Sequence, residues 1–417
     1  MRRRFVNLVT RNCAQYVYSV RRIDPFDQLF YRSAKEALEA AGEAARMKDP
    51  FPAMRALQLP HPGMSFMANP SGGGSLDMFT LLSPRATSGG RMVAANPAGE
   101  AVMYDADRQL VSTLGRMNER KGVYPMCLHI AHPGRDQDSL YVMDTYPGPA
   151  LEFRGPQGGL LSGPSRPAAA AVAPAALAQG RPCTYPGPGD DGCFEVLEYM
   201  PECSELSDMR AAWRWRLLPP PPFVCQPGYR RSSSITAYTA VVDGNGCSTI
   251  YVTCEGSIGT YSFETARLDS HHRLGWTHSE EWKHVGRWSL PFKGGAQYVP
   301  EFNMWFGFSA FSPGHLCAVD LSAMHHDRPP TALQVWKNLL PPEVEWMCIP
   351  VRFELLNLGD GKFLIAGTFE AETTGQQFAL LTGVEMMPCV GDDRSLQMVK
   401  HKCTRYAFTT DAIEWVL

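Results

Sequence analysis

Short runs of β-branched and aromatic residues, separated by turns rich in Gly, Asn and Asp, recur along most of the chain. The clearest example has Ile235–Val242 and Ser248–Cys254 on either side of residues 243–246, Asp-Gly-Asn-Gly. Gly and Asn accept the positive φ angles of tight turns, so this arrangement predicts a β-hairpin. Further apolar runs at residues 260–265 and 282–292 extend it. The whole segment predicts one four-stranded, up-and-down sheet.

Similar groups of strands precede and follow this segment, and counting them gives about six groups. From Phe263 to Val319 to Leu381 the pattern repeats with a period of about sixty residues. Three of the groups end in a Trp followed by Leu-Pro, with the tryptophans at Trp213, Trp288 and Trp336. A Trp of this kind fills the gap between neighbouring sheets, and the proline ends the strand where no backbone donor is needed. The pattern predicts an all-β fold: a single β-propeller of four-stranded, kelch-like blades, most simply six of them.

The two ends of the chain both have strand character. Residues 406–417 are predicted to complete a blade that residues 5–23 begin, and this pairing would close the ring. Deletion of residues 405–417 is therefore expected to destroy solubility.

Two stretches differ from the strand pattern. Ser33 and Glu36 form a capping box that predicts one short helix over residues 33–47, lying on the β-structure. Residues 148–192 are rich in Pro, Ala and Gly and predict a disordered loop inserted within a blade. The strand at residues 194–199 continues the interrupted blade, so residues 1–417 are predicted to be one domain.

Composition limits the classes of partner and compartment. A formal charge of −3 and a pI near 6.4 give no electrostatic basis for binding nucleic acid or an anionic membrane. The 12 cysteines include no Cys-x-x-Cys pair, which favours reduced thiols in the cytoplasm or nucleus. The first 23 residues contain six arginines and no acid, as in an organellar transit peptide, although their β-branched alternation favours strands.

The densest group of potential metal ligands comprises His271, His272, His278 and His284, with two glutamates between them. The spacing between His278 and His284 matches no established metal-ligand motif, so a solvated excursion is the preferred interpretation. The Gly-rich stretches at residues 72–74 and 294–295 lack the Gly-Lys-Ser/Thr sequence of a phosphate-binding loop.

Asp105, Asp144 and Asp320 recur at equivalent positions of the repeat. Repetition favours a structural role, in which each carboxylate accepts hydrogen bonds from a turn, over general acid–base catalysis. The chain also lacks a Gly-x-Ser-x-Gly elbow. The sequence therefore assigns no catalytic, cofactor-binding or metal-binding residue.

Nine segments that span most of the chain carry a family resemblance: residues 3–9, 18–24, 101–107, 259–263, 288–292, 298–301, 305–308, 381–385 and 406–417. They resemble a plant family, expanded in grasses, that carries domain of unknown function 1668. The resemblance implies a fold similar to the kelch-type propellers that follow F-boxes, although this chain shows no F-box. No established activity or catalytic residue comes with the family.

These patterns together predict a non-catalytic, intracellular, monomeric propeller that binds a protein partner through loops at one end of its channel. They predict no bound cofactor, no nucleic acid and no membrane. One alternative is an enzyme at the channel mouth, which would show converging acids or histidines with shifted pKa values. The other is a carbohydrate-binding propeller, which would show exposed aromatic platforms.

Overall fold

The structure is a computed structural model. It describes residues 3–12, 14–46, 55–67, 75–83, 90–131, 137–148, 192–200, 212–226, 229, 233–243, 246–256, 258–265, 267–268, 276–277, 280–312, 314–322, 324, 329–337, 339, 348–389, 392–408 and 410–417. Residues 149–191 of the predicted loop insertion and three of the four clustered histidines lie outside these ranges. Within them, the predicted all-β class is confirmed.

The strands cover most of the described chain. In chain order they are β1 Val6–Asn12, β2 Val17–Ile23, β3 Arg55–Leu57, β4 Pro62–Met67, β5 Met78–Ser83, β6 Arg91–Ala95, β7 Ala101–Asp105, β8 Leu110–Thr113, β9 Met126–Ile130, β10 Ser139–Met143, β11 Phe194–Met200, β12 Ala212–Leu217, β13 Ile235–Val242 and β14 Ser248–Cys254. They continue with β15 Gly259–Glu264, β16 Arg267–Leu268, β17 Trp276–Thr277, β18 Trp282–Gly286, β19 Phe292–Val299, β20 Met304–Ser309, β21 Leu316–Val319, β22 Ala332–Trp336, β23 Cys348–Gly359, β24 Lys362–Ala371, β25 Gln377–Cys389, β26 Asp392–Ala407 and β27 Asp411–Val416.

Local chemistry explains the β13–β14 hairpin, which is confirmed. The Asp243 carboxylate accepts a hydrogen bond from the Cys247 amide at 2.7 Å, and the Gly246 amide donates to the Asp243 carbonyl at 3.0 Å. Gly246 has a φ of 78°, a conformation that glycine adopts without a Cβ clash. The turn therefore sets the register in which Val242 pairs with Ser248.

In the described residues the strands form antiparallel groups of four, which we name sheets I to VI. Sheet I has the order β27-β1-β2-β4, sheet II β5-β6-β7-β8 and sheet III β9-β10-β11-β12. Sheet IV has the order β18-β15-β14-β13, sheet V β19-β20-β21-β22 and sheet VI β23-β24-β25-β26, with β3 added at its edge. Sheets IV and V join through a two-residue parallel contact between β13 and β19. Strands β16 and β17 pair separately.

Hydrophobic clusters lie between successive sheets. Buried side chains of sheet I pack on sheet II, those of II on III, III on IV, IV on V, and V on VI. A sixth cluster joins sheet VI to sheet I, where Leu8 and Val416 pack with Leu364 and Leu381. Neighbouring side chains along a strand point to opposite faces, so each sheet packs against two neighbours. Burial of both faces explains why the strands read as continuous apolar runs.

The ends of the chain pair in one sheet. β27 runs antiparallel to β1, with Leu8 opposite Val416 and Val9 opposite Trp415. The predicted pairing of the terminal segments is therefore observed. The structure supports a β-propeller-like arrangement of several sheets.

Two α-helices lie between β2 and β4. The predicted helix is confirmed as α2, Ala34–Arg46; the Glu36 amide donates to the Ser33 hydroxyl at 3.2 Å, while the Glu36 carboxylate reaches the Arg32 amide at 3.0 Å. A shorter helix, α1 at Pro25–Leu29, was not predicted, although Asp24 caps it and Pro25 occupies its first turn. Neither helix in the described part of the chain is long and apolar enough to cross a membrane.

The repeated tryptophans lie at boundaries between sheets, as predicted. Trp213, Trp288 and Trp336 are partly buried against the clusters that join sheets II and III, IV and V, and V and VI. One detail of the prediction was wrong. Trp288 lies in the connection after β18, because the fourth strand of sheet IV ends at Gly286 and Phe292 begins sheet V.

Candidate functional site

The first strands of neighbouring sheets lie side by side, and side chains tie them together. Contacts join β5 to β9, β9 to β13, β13 to β19 and β19 to β23. The Gln297 side-chain amide donates to the Leu355 carbonyl at 2.8 Å, and its oxygen accepts from the Asn357 amide at 3.0 Å. Gln297 thus reproduces two strand-type hydrogen bonds between sheets V and VI. The buried Thr239 hydroxyl similarly donates to the Ala296 carbonyl at 2.9 Å.

A charged pair on β23 makes the corresponding connection between sheet VI and β27. The Arg352 guanidinium donates to the Glu414 carbonyl at 2.7 Å and pairs with the Glu354 carboxylate at 2.6 Å. The other Glu354 oxygen accepts from the Val416 amide at 2.7 Å. Burial raises the pKa of Glu354, whereas Arg352 and the Val416 amide favour its ionised form. Both side chains therefore bind the backbone of the last strand.

Tyr124, just before β9, completes this group. The Arg352 guanidinium lies 3.9 Å from the centre of the Tyr124 ring, and the Tyr124 hydroxyl donates to the Glu414 carboxylate at 2.7 Å. Arg11 pairs with the same carboxylate at 3.7 Å. Burial, followed by the charge of Glu414, raises the pKa of the Tyr124 hydroxyl. Tyr124 thereby links β9 to the seam between sheets VI and I. We call Tyr124, Arg352, Glu354 and Glu414 the axial cluster.

The backbone of Tyr124 is held in an unusual conformation. Its φ of 56° is uncommon for a residue with a Cβ, and such strain persists only where the surroundings impose it. Its amide donates to the Asp77 carbonyl at 2.9 Å, and its carbonyl accepts from the Thr145 hydroxyl at 2.8 Å. Sheets II and III therefore fix the position of this exposed ring.

A small recess adjoins the axial cluster. It is lined by Arg352, Glu354, Glu414 and small or aliphatic side chains of sheets VI and I, and its cavity volume is about 10 Å³. That volume suits one water molecule. Pockets for small-molecule ligands measure about 300–1,000 Å³. The recess is therefore too small to hold a metabolite beside the two carboxylates.

The thiol of Cys127, on the first strand β9, is not activated. Burial raises the pKa of Cys127 to about 12, and its neighbour Tyr238 also has a raised pKa because of burial. A thiol with such a pKa stays protonated at neutral pH and is a poor nucleophile. None of the nine cysteines in the described ranges forms a disulfide, and Cys193, Cys254, Cys317 and Cys403 are buried.

Seven exposed apolar residues lie at the end of the sheets that includes Tyr124 of the axial cluster. Strands alternate in direction within each sheet. The start of the first strand and the turn between the second and third strands therefore lie at the same end of a sheet. Backbone hydrogen bonds join these segments. The Ile235 amide donates to the Thr145 carbonyl at 2.7 Å, and the Ala310 amide donates to the Pro291 carbonyl at 3.0 Å. We call the exposed apolar residues here the end face: Tyr16, Val123, Tyr124, Tyr146, Phe311, Ile349 and Val351.

Several end-face residues adjoin the axial cluster or its partners. The Arg11 guanidinium lies 5.8 Å from the ring centre of Tyr16 and contacts Glu414. Val123 and Tyr146 adjoin Tyr124 and its partner Thr145 in sequence. Phe311 is the most exposed residue of the end face, at 80%.

The repeated acids accept hydrogen bonds from turns, as predicted, but their predicted equivalence is wrong, because Asp105 and Asp320 follow third strands whereas Asp144 follows a second strand. One Asp105 oxygen accepts from the amides of Asp107 and Arg108, at 3.1 and 3.0 Å. Asp144 accepts from the Tyr146 amide at 2.9 Å, and Asp320 from the Ser322 amide at 2.9 Å. These carboxylates satisfy turn donors at the ends of second or third strands.

Of the histidine group, only His284 falls in the described residues, where its ring centre lies 4.9 Å from that of Tyr261. His271, His272 and His278 lie outside them. Among the residues that the structure describes, no group of three or more potential ligands is placed to hold a metal ion.

Sequence reasoning missed the axial cluster. None of its four residues was singled out as a candidate functional residue. One signal was available, because charged residues alternate along a strand that is otherwise apolar. Without knowledge of its neighbours, such alternation is indistinguishable from a solvent-facing strand surface.

The family described as "Protein of unknown function (DUF1668)" matches residues 3–406. The chain belongs to this family. The resemblance seen in the sequence is thereby confirmed over nearly the whole chain, and the DUF1668 description assigns no activity. A search of curated proteins gave no significant match.

Two solved structures are similar to the DUF1668 chain at low identity. An alpha-L-arabinofuranosidase from Clostridium thermocellum has 11% identity and a TM-score of 0.32, covering 82% of this chain and 96% of the other. Apo AztD from Citrobacter koseri has 8% identity and a TM-score of 0.30, covering 97% of this chain and 98% of the other. At these TM-scores neither carries an argument about the function of the DUF1668 chain.

Proposed function

We propose that sheets I to VI are the six blades of one closed, kelch-like β-propeller and that β27 completes blade I. Three observations support closure: the sheet VI–sheet I hydrophobic cluster, the β1–β27 pairing, and the bonds from Arg352 and Glu354 to the β27 backbone. A ring of this kind leaves only short strand edges and holds its end loops rigidly.

We further propose that this propeller is a non-catalytic module that binds another protein through its end face. The observation that carries the proposal is that six further exposed aromatic or β-branched residues lie at the same end of the sheets as Tyr124. Exposed apolar groups that collect on one surface mark interaction sites, whereas scattered ones need no explanation. The strained backbone of Tyr124 supports a role that requires this ring to stay in place.

The chemistry of the end face favours a protein over a sugar. Aromatic rings stack on sugars, but Val123, Ile349 and Val351 offer no hydrogen bonds to hydroxyl groups. Apolar side chains of a protein partner would instead be buried against these residues. Each side chain that is fully buried stabilises the complex by about 1.5–3 kcal/mol. The axial carboxylates and Arg352 are already paired with one another and with backbone groups.

Catalysis at this end is the second candidate, because Glu354 and Glu414 flank Arg352 and the pKa of Glu354 is raised by burial. The cavity volume of about 10 Å³ argues against it. Catalysis would be tested by measuring turnover of candidate metabolites by the wild type and two variants. An active site here requires turnover that Glu354→Gln loses and Val351→Asp retains.

A matched pair of valine substitutions tests the binding proposal. Val351 on β23 is 55% exposed at the end face, and Val242 at the far end of β13 is 56% exposed. Immobilised wild type, Val351→Asp and Val242→Asp would be incubated with extract from the source tissue, and retained proteins would be quantified. We expect one protein retained by the wild type and Val242→Asp and reduced about tenfold or more by Val351→Asp, since an Asp in an apolar interface is desolvated without a partner.

Each variant must melt within about 1 °C of the wild type, because surface changes usually alter stability by less than about 0.5 kcal/mol. Equal retention of the same protein by Val351→Asp would refute the end face as the binding surface. Retention of no protein by the wild type would refute the binding function itself. Binding to a glycan array that is lost in Val351→Asp would replace the protein partner with a carbohydrate.

A further inference from the structure

The connection between β2 and β4 crosses from sheet I onto sheet VI. Residues 24–46 and 55–57 of this connection, which we call the strap, contain α1, α2 and β3. Helix α1 contacts β25 and β26, α2 contacts β26, and β3 pairs in parallel with β26 at Thr404–Tyr406. The strap thus covers the outer edge of sheet VI.

The strap approaches sheet VI very closely. Leu29 and Phe30 are buried among side chains of sheets I and VI. A Cβ added to Gly383 on β25 would collide with the Leu29 carbonyl oxygen. The glycine is therefore required for this contact, and the strap packs directly on the sheet backbone.

One histidine of β26 holds the segment between the two helices. His401 is fully buried, and its Nδ1 accepts a hydrogen bond from the Tyr31 amide at 3.1 Å. Its Nε2 lies 3.0 Å from a Glu385 carboxylate oxygen. An amide N–H can only donate, so Nδ1 must be unprotonated and the ring neutral, with its proton on Nε2. Protonation of Nδ1 would place two donors opposite each other.

The groups around His401 add to this conflict. Lys362 of β24 already pairs with Glu385, the Lys402 ammonium lies 4.9 Å from the Tyr31 ring centre, and the Phe30 ring centre is 4.8 Å from that of His401. A protonated ring would be a second cation on the Glu385 carboxylate and would be repelled by the charges of Lys362 and Lys402. Burial lowers the pKa of His401, which the hydrogen bond and charge of Glu385 partly oppose.

We propose that His401 is a pH-sensitive anchor and that its protonation loosens the strap from sheet VI, uncovering the outer edge of β26. The neutral ring is favoured while the strap is attached to sheet VI. The hydrogen bond of His401 therefore stabilises the attached strap fully above the ordinary histidine pKa of about 6.5. This stabilisation is lost progressively as the pH falls below that value and approaches the lowered pKa of His401 in the attached form. The device is independent of the end face.

Hydrogen exchange measured by mass spectrometry tests this inference on the full chain. Amide protection of residues 24–46 would be compared at pH 7.5 and pH 5.0 after correction for intrinsic exchange rates, with β20 as an internal reference. We expect protection of the strap to fall about tenfold at pH 5.0, since a buried donor that loses its acceptor costs about 1–3 kcal/mol. Protection of β20 should change far less.

Three variants distinguish the anchor from general acid sensitivity. His401→Gln, which does not titrate, should abolish the pH dependence of strap protection, whereas His315→Gln on the turn before β21 should retain it. Glu385→Gln removes the charge that favours the imidazolium, so its transition should move to lower pH. Equal strap protection at both pH values in the wild type would refute the proposal. So would an unshifted transition in Glu385→Gln or a persisting one in His401→Gln.

Discussion

Removal of one indole from the terminal strand tests whether β27 holds sheets I and II together. Trp415 is 4% exposed, and its ring centre lies 6.1 Å from Tyr18, 5.8 Å from Phe79 and 5.3 Å from Tyr124. It therefore joins residues from both sheets and from the connection before β9. Trp415→Ala removes these contacts and leaves a cavity.

The expected cost follows from the size and burial of the indole. A Phe or Trp to Ala change in a core costs about 3–5 kcal/mol. An unfolding entropy of about 2.1 cal/mol/K per residue gives roughly 0.9 kcal/mol/K for 417 residues, so each kcal/mol corresponds to about 1 °C. We expect the melting temperature of Trp415→Ala to fall by about 3–6 °C.

Complete removal of β27 should be far more damaging. Ile413, Trp415 and Val416 are all buried, and three such side chains contribute about 5–9 kcal/mol by burial alone. That approaches the whole stability of a typical domain, about 5–15 kcal/mol. Deletion also frees the β1 edge for aggregation. Loss of soluble protein on deletion of residues 405–417 thus remains our prediction, and deletion of residues 410–417 should suffice.

Thermal unfolding followed by scanning fluorimetry measures the effect. Phe311→Ala is the matched control, because this aromatic side chain is 80% exposed and its truncation should change the melting temperature by less than about 1 °C. A Trp415→Ala protein that melts with the wild type would refute the view that this strand supports the fold. Equal decreases in melting temperature for Trp415→Ala and Phe311→Ala would show that burial between sheets I and II does not determine the loss of stability.

Two further predictions concern a buried ion pair and a close backbone contact. Lys121→Met should lower the free energy of unfolding by about 3–5 kcal/mol in urea titration, because it leaves the fully buried Glu195 carboxylate without its ion-pair partner. Adding Glu195→Gln should restore part of this loss; no restoration would show that the charge is not the cause. Gly383→Ala should destabilise by about 1–3 kcal/mol through collision with the Leu29 carbonyl. Gly42→Ala, in open space on α2, should stabilise by about 0.5–1 kcal/mol, and equal effects of the two glycine changes would contradict the steric argument.

Features that depend on near neighbours in the chain were readable from the sequence. The β13–β14 hairpin follows from Asp243 and Gly246, whose turn geometry requires these residue types. The start of α2 follows from Ser33, which caps it. Alternating and continuous apolar runs gave the strands, and their spacing gave the grouping into similar sheets. Hydrogen bonds within a few residues determine all of these, so local sequence is sufficient.

Contacts between distant strands needed the tertiary structure. Arg352 and Glu354 bind the backbone of a strand that lies about sixty positions later, and the partners could have been any strand edge. His401 bonds to Tyr31 across 370 positions, and neither residue belongs to a recognisable motif. The end face likewise arises only when turns from several sheets meet. The sequence determined which segments become strands and turns, because those preferences are local. Only the packing of sheet on sheet determined which charged and apolar groups meet, because the type of one residue does not specify which distant residue it will contact.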